Sequence, residues 1–210
     1  MLKIIAFNYD DILELVANCY IVYDDFKNAV IIDPGSENPK IINAIEREEL
    51  NLKAILLTHG HFDHIRGVDL LKNRFDVPAY IHEDDEIMLR DTHLNGSLDM
   101  GDNLVVVNSL VKTYKDKESF NFLNEEMVVV HTPFHTLGSS CFYFCKSNML
   151  FSGDTLFKEG FGRYDLPHSN HRLLLDSLNK LFNLPKETKV YPGHGKSTTI
   201  GEEASRYRLK

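Results

Sequence analysis

Two mixed β-sheets packed face to face with helices on the outside is the α/β architecture that this sequence predicts, and three observations predict it. Short apolar runs of strand length recur along the whole chain. They come in clusters separated by single helical patterns, not in strict alternation of strand and helix. Several end abruptly in turns that carry glycine, proline, histidine or aspartate.

Taken in order, Leu2–Phe7 is a short apolar strand. Asn18–Tyr23 and Ala29–Asp33 flank the polar stretch Asp24–Asn28 as the arms of a hairpin. Asp33-Pro34-Gly35 breaks the chain, and a helix follows with Pro39 in its first turn and Ile41, Ile42 and Ile45 on one face. Lys53–Leu57 is a buried strand running into Thr58-His59. One helix from Asp63 carries Val68, Leu71 and Phe75. Pro78–His82 is a strand and Glu83–Arg90 a short helix. Leu104–Val107 and Val111–Tyr114 are strand-like, and Met127–Val130, Ser140–Phe144 and Met149–Phe151 continue the strands. Asn170–Phe182 is a helix with Leu174, Leu178 and Leu181 at helical spacing, and Lys189–Tyr191 is the last strand.

At 210 residues, 43% of them hydrophobic, residues 1–210 are expected to form a single domain with an ample core. No apolar run approaches the ~18 residues of a membrane span. The opening MLKIIAFNYDD lacks the pattern of a secretory signal. Cys19, Cys141 and Cys145 are read as reduced core thiols, which points to the cytoplasm. A net charge of -8 disfavours nucleic acid as a partner.

The chemistry concentrates in Thr58-His59-Gly60-His61-Phe62-Asp63-His64. Three imidazoles and a carboxylate lie within six residues, at a strand-to-helix junction. Histidines at i and i+2 in an extended turn can share one ion, while Asp63 and His64, at the helix start, reach a second. Gly60 suits a tight bend. This donor set suits zinc, and also iron or manganese. A surface cluster of histidines has little structural use without metal. Three more apolar strands end in turns presenting the same ligand types: His131-Thr132-Pro133-Phe134-His135-Thr136, Ser152-Gly153-Asp154-Thr155 and Pro192-Gly193-His194-Gly195. Any one alone is an ordinary turn; four together point to a metal site.

These segments resemble the metallo-β-lactamase superfamily, and within it the small members of the glyoxalase II-like (hydroxyacylglutathione hydrolase-like) branch. The resemblance runs from Asn18-Cys19-Tyr20 and Asp33-Pro34-Gly35 to Pro192–Gly195 and Thr199-Ile200-Gly201. It implies a four-layer αββα sandwich. It implies one ion on His59, His61 and His135, a second on Asp63, His64 and His194, and Asp154 bridging them. His131 is no ligand in that pattern. Two divalent ions are expected, zinc first, with iron or manganese as alternatives, and Asp63 and Asp154 are assigned the catalytic roles. Asp33 resembles a family aspartate that orients a ligand imidazole; the plain alternative is a turn residue before Pro34. Phe134 stands where glycine is usual, and Pro167-His168-Ser169 replaces a stretch that often carries glycines. Substrate preference is therefore expected at Phe134 and His168. Gly162-Arg163-Tyr164-Asp165 matches a segment of the glyoxalase II-like and persulfide dioxygenase branches. Arg163 there either holds loops together or meets an anionic substrate. His82, His93, His131, His168 and His171 are not needed as ligands and are read as surface or hydrogen-bonded histidines, on the weakest grounds for His168 and His171, because they follow Gly162–Asp165.

The resemblance implies hydrolysis by a metal-bridging hydroxide. A thiol, with a pKa near 8.5, departs without a strong general acid. The expected reaction is therefore hydrolysis of a small-molecule thioester of the S-acyl-glutathione type, by a monomer or homodimer. Three alternatives remain open: a mononuclear-iron persulfide dioxygenase, a hydrolase of another ester, lactone or phosphodiester, and a non-catalytic metal-binding module.

Overall fold

The computed structural model describes residues 1–8, 17–101 and 103–207. Its twelve described strands form two six-stranded sheets. The first runs β1 (Lys3–Phe7), β2 (Cys19–Tyr23), β3 (Asn28–Ile32), β4 (Asn51–Leu56), β5 (Ala79–His82), β6 (Lys112–Tyr114) in that spatial order. Its first two pairings are antiparallel and the other three parallel. The second contains β7 (Ser119–Phe120), β8 (Met127–His131), β9 (Ser140–Phe144), β10 (Met149–Gly153), β11 (Lys189–Pro192) and β12 (Thr198–Thr199), again in chain order. Only β10 and β11 pair in parallel there. Both sheets are mixed, as expected.

Side-chain alternation along β2 shows how the layers are made. Tyr20 and Val22 point between the sheets, where they join Ile32, Leu56, Val129, Phe142 and Phe151. Cys19 and Ile21 point the other way, onto Ile41, Ala44 and Ile45 of helix α1 (Pro39–Arg47) and onto Val68 and Leu71. A strand covered on both faces needs apolar residues at every position, and all of Cys19–Val22 are buried. The second sheet repeats the scheme: Cys141, Tyr143, Leu150 and Val190 face outward onto Leu178, Leu181 and Ile200.

Some expectations need correction. The helix expected from Asp63 is two, α2 (Phe62–Ile65) and α3 (Val68–Phe75), broken at Gly67, whose N–H donates to Pro34 O at 2.7 Å. Glu83–Leu89 is a 3₁₀ turn, followed by the short helix α4 (Ser97–Met100). Leu104–Val107 alternates buried and exposed like a strand yet pairs with none. Its backbone bonds go to Ser97 Oγ, Asn95 Nδ2 and Leu89 O instead. The helix expected at Asn170–Phe182 starts as a 3₁₀ turn (His171–Leu173) before α5 (Leu174–Phe182). The chain's last described helix is α6 (Ile200–Arg206). Cys19 and Cys141 are buried, but Cys145 is exposed, one residue past the end of β9. No described helix is long and apolar enough to cross a membrane.

Candidate metal centre

The four ligand-type turns follow β4 of the first sheet and β8, β10 and β11 of the second, so they meet where the gap between the sheets opens. Seven side chains converge there, in overlapping groups whose ligand atoms lie within 4.8 Å of one another: His59, His61 and His135; His59, His64 and Asp154; Asp63, His64 and His194. Two ligand atoms ~2.1 Å from one tetrahedral ion lie ~3.4 Å apart. The observed separations scatter about that value. His61 Nδ1 and His135 Nε2 are 2.9 Å apart, and His194 Nε2 and Asp63 Oδ2 3.2 Å. Asp154 lies between the groups: its Oδ2 is 3.5 Å from both His135 Nε2 and His194 Nε2, and its Oδ1 is 3.4 Å from His64 Nε2.

The residues fit divalent ions on a further observation. Buried polar atoms are nearly always hydrogen-bonded. Yet among the described residues His59 Nε2, His64 Nε2 and Asp154 Oδ1 are buried without a hydrogen-bond partner. Three such atoms in one cluster are what a cation site leaves.

The hydrogen-bond network assigns the tautomers. Thr58 N–H and Oγ1–H donate to the two oxygens of Asp33 at 2.8 and 2.7 Å. The Thr58 hydroxyl has then spent its proton, so it accepts from His59 Nδ1–H at 3.1 Å. His64 Nδ1–H donates to Asp33 Oδ2 at 2.9 Å. His135 Nδ1–H donates to Arg163 O at 2.6 Å. In all three rings the proton is on Nδ1 and Nε2 is bare, facing the centre. Asp33 is therefore more than a turn residue: it orients two of the imidazoles.

Charge follows the same geometry. Burial, reinforced by the neighbouring imidazoles, pushes His59 well below the ordinary histidine value. Burial and His135 lower His61 to about 3. Burial opposes protonation of His64 as well, but Asp33, Asp63 and Asp154 outweigh it and hold that ring well above the ordinary value; a cation facing Nε2 would displace the second proton and leave that nitrogen bare. Burial raises Asp63, and the His64 and His194 imidazoles overcome it, leaving the carboxyl at about 2. Asp154 is likewise held below the carboxylate range, His194 and His64 outweighing its burial.

Close packing explains two glycines. Gly60 is needed not for a left-handed bend but because a Cβ there would sit 2.5 Å from the Met88 Cβ. At Gly193 a Cβ would sit 2.2 Å from Asp154 Oδ1. The turn carrying His194 is fastened by Asn18, whose Nδ2 donates to Pro192 O and Gly195 O, and by Tyr20 OH, which donates to Pro192 O.

The centre opens into a cleft of about 420 Å³, walled by Phe62, Met100, Phe157, Leu166 and Arg163. Two expectations fail here. Phe134 does not line the cleft: it is fully buried, and its ring meets Phe161 edge-on. His168 does not line it either; its Nε2 turns to Asp84 O at 2.8 Å. Arg163 lines the cleft while its guanidinium holds Asp165 through two bonds of 2.8 and 2.9 Å. Its carbonyl also orients His135, so it serves the loops as well as the cleft. A further group, His82, Asp84 and His131, also comes within ligand range. There the two rings stack in parallel, 4.0 Å apart at 9°. Ring lone pairs lie in the ring plane, so parallel rings do not aim at one ion.

With this geometry in place, the comparisons with known proteins are decisive. Residues 12–194 match the model of the Lactamase_B family, described as the metallo-beta-lactamase superfamily. This chain belongs to that superfamily. The coarser functional statement follows: it is a metallo-hydrolase of the superfamily. A relative from Haemophilus influenzae named hydroxyacylglutathione hydrolase GloC is 35% identical over 198 residues, spanning 89% of each chain. The crystal structure of BLEG-1 B3 metallo-beta-lactamase superposes with a TM-score of 0.89 at 39% identity, covering 98% of this chain and 97% of that one. TTHA1623 in a di-iron-bound form superposes at 0.83 with 35% identity, covering 96% of each. Zinc is therefore not distinguished from iron by the fold.

Proposed function

We propose that this metallo-hydrolase cleaves small-molecule thioesters of the S-acyl-glutathione type, with His59, His61 and His135 holding one divalent ion, Asp63, His64 and His194 a second, and Asp154 shared between them. Ions held by these residues would lower the pKa of bound water from about 15.7 to about 7 and would polarise a carbonyl oxygen. The chain's own residues do the rest. Asp33, Thr58 and the Arg163 carbonyl keep three ring protons on Nδ1, so that the bare nitrogens face inward. Phe62, Met100, Phe157 and Leu166 give the cleft apolar walls for an acyl group.

The composition of the cleft wall carries the substrate reading. Among the described residues it holds no serine, threonine or cysteine to act as a covalent nucleophile, and no lysine or tyrosine to protonate a leaving group. A thiolate needs no such acid, whereas an amine does. The 35% identical relative named hydroxyacylglutathione hydrolase supports the same class. Hydrolysis of a β-lactam is the second reading, favoured by the structural likeness to BLEG-1.

Thiol release from S-D-lactoylglutathione, set against hydrolysis of a chromogenic cephalosporin, tests the choice on zinc-loaded and iron-loaded protein. A kcat/KM above ~10⁴ M⁻¹s⁻¹ on the thioester alone is expected. The same efficiency on the cephalosporin alone would establish the second reading. Iron-dependent oxygen uptake with a persulfide would replace both with an oxidoreductase.

A further inference from the structure

Asp85 lies in the 3₁₀ turn after β5, inside the acidic run Glu83–Glu86, and its side chain is fully buried. Nothing in its own turn explains that burial. Its partners come from three other segments. Oδ2 accepts from Gly60 N–H at 3.1 Å and from Thr136 Oγ1–H at 2.6 Å. Oδ1 accepts from Gly138 N–H at 2.7 Å and lies 3.4 Å from His168 Nε2. Gly60 separates His59 from His61, and Thr136 follows His135. The carboxylate thus grips the backbones of the two turns whose rings, His61 and His135, approach to 2.9 Å. Gly138 is pressed so close that a Cβ there would lie 2.6 Å from the carboxylate.

The fourth partner extends the grip to the cleft. His168 adopts a left-handed backbone, with φ of 67°, and its Nε2 bonds Asp84 O at 2.8 Å while lying 3.4 Å from Asp85 Oδ1. The segment leading to it carries Phe157, Arg163 and Leu166 of the cleft wall. Next to His168, Ser169 Oγ–H donates to His135 O at 2.8 Å and Asn170 N–H to Phe134 O at 2.8 Å.

We propose that Asp85 is a positioning residue that sets the spacing of the His61 and His135 imidazoles by holding both turns on one carboxylate, and that through His168 it docks the cleft wall onto the same anchor. A carboxylate has about four acceptor sites and no donor, which suits three converging donors with His168 Nε2 beside them. An asparagine has one acceptor oxygen and would turn an N–H₂ group toward donors that already point inward. The proposal rests on the metal reading above but not on the thioester, so its test reads metal binding.

Zinc affinity of the full-length protein is measured by competition with a chromogenic chelator, for the wild type, Asp85→Asn and His168→Asn. Asparagine is chosen at 168 because it tolerates a left-handed backbone. Asp85→Asn is expected to weaken one of two zinc ions ~10–100-fold, the range for partners that orient ligands. The ion on Asp63, His64 and His194 should change less. A residue that only stabilises the fold would lower the melting temperature without this selectivity. His168→Asn should keep both affinities and speed amide hydrogen exchange across residues 157–167. A folded Asp85→Asn protein that binds both ions as the wild type does overturns the spacing claim, and unchanged exchange in His168→Asn overturns the docking claim. If Asp85→Asn does not fold, Thr136→Val removes one donor at constant shape. A several-fold loss of the same ion supports the proposal, and an unchanged affinity overturns it. A wild-type protein that takes up no zinc or iron sinks the metal reading, and this inference with it.

Discussion

Two buried aspartates flank the His59–His64 turn and grip it differently. Asp33 holds mainly side chains: beside the Thr58 backbone N–H on one oxygen, the other takes the Thr58 hydroxyl and the His64 ring, and the hydroxyl passes the constraint on to His59. Asp85 holds mainly backbone, through Gly60 and Gly138, together with the Thr136 hydroxyl. A grip on a ring decides which nitrogen faces the centre. A grip on the backbone decides how far apart two rings stand. A site assembled from four separate turns needs both, because a correctly oriented ring in a displaced turn still misses its ion.

The comparison can be broken outright at Asp154, which neither aspartate touches. Asp154→Ala removes the one carboxylate adjacent to both ligand groups. It should lose bound metal and at least ~10³-fold in kcat/KM, since metal ions supply several kcal/mol of transition-state stabilisation. Metal analysis alongside the kinetics decides it; full metal content would refute the shared role. Asp33→Asn should come next, weakening both ions by ~10–100-fold, because the proposed assignment puts His59 on one ion and His64 on the other, and Asp33 orients both rings. Loss of only one ion in a chelator titration would show that the two aspartates do not divide the work as described. Thr58→Val isolates the relay. It leaves His64 on Asp33 and should cost one ion about tenfold, at the low end of the same range.

The smallest effect concerns pH. The hydrogen bond to Asp85 raises His168 above its ordinary histidine value, against its partial burial. A raised value means that the stabilisation is fully present below the unfolded value of about 6.5 and fades as pH rises through the folded value above it. The melting-temperature gap between the wild type and His168→Asn, followed from about pH 6 to pH 9 at fixed metal loading, should therefore narrow with rising pH. A constant gap would mean that His168 is held through the Asp84 carbonyl alone.

How legible each grip was differs for a physical reason. Asp33 ends an apolar strand and precedes Pro34-Gly35, so position marks it before any contact is known. Asp85 sits among Glu83, Asp84 and Glu86, a run that reads as the solvated face of a short helix. Only the approach of Gly60, 25 residues earlier, and of Gly138, 53 later, withdraws that one carboxylate from water. Phe134 and His168 were expected at the substrate, because each departs from a family pattern, Phe134 directly beside His135. Phe134 instead fills the core beside Phe161, and His168 turns to the 3₁₀ turn. Adjacency in the chain does not say to which side a ring points.

The sequence by itself determined the two-sheet layering and the donor types. Apolar alternation dictates which faces are covered, and seven imidazoles and carboxylates at the ends of strands have little other use. Tertiary structure alone decided the tautomers, the spacing of the rings and the makeup of the cleft wall. Each of these depends on partners 25 or more residues apart, brought into range by strand pairing within the first sheet for Asp33 and Gly60 and by the packing of the two sheets for Gly138.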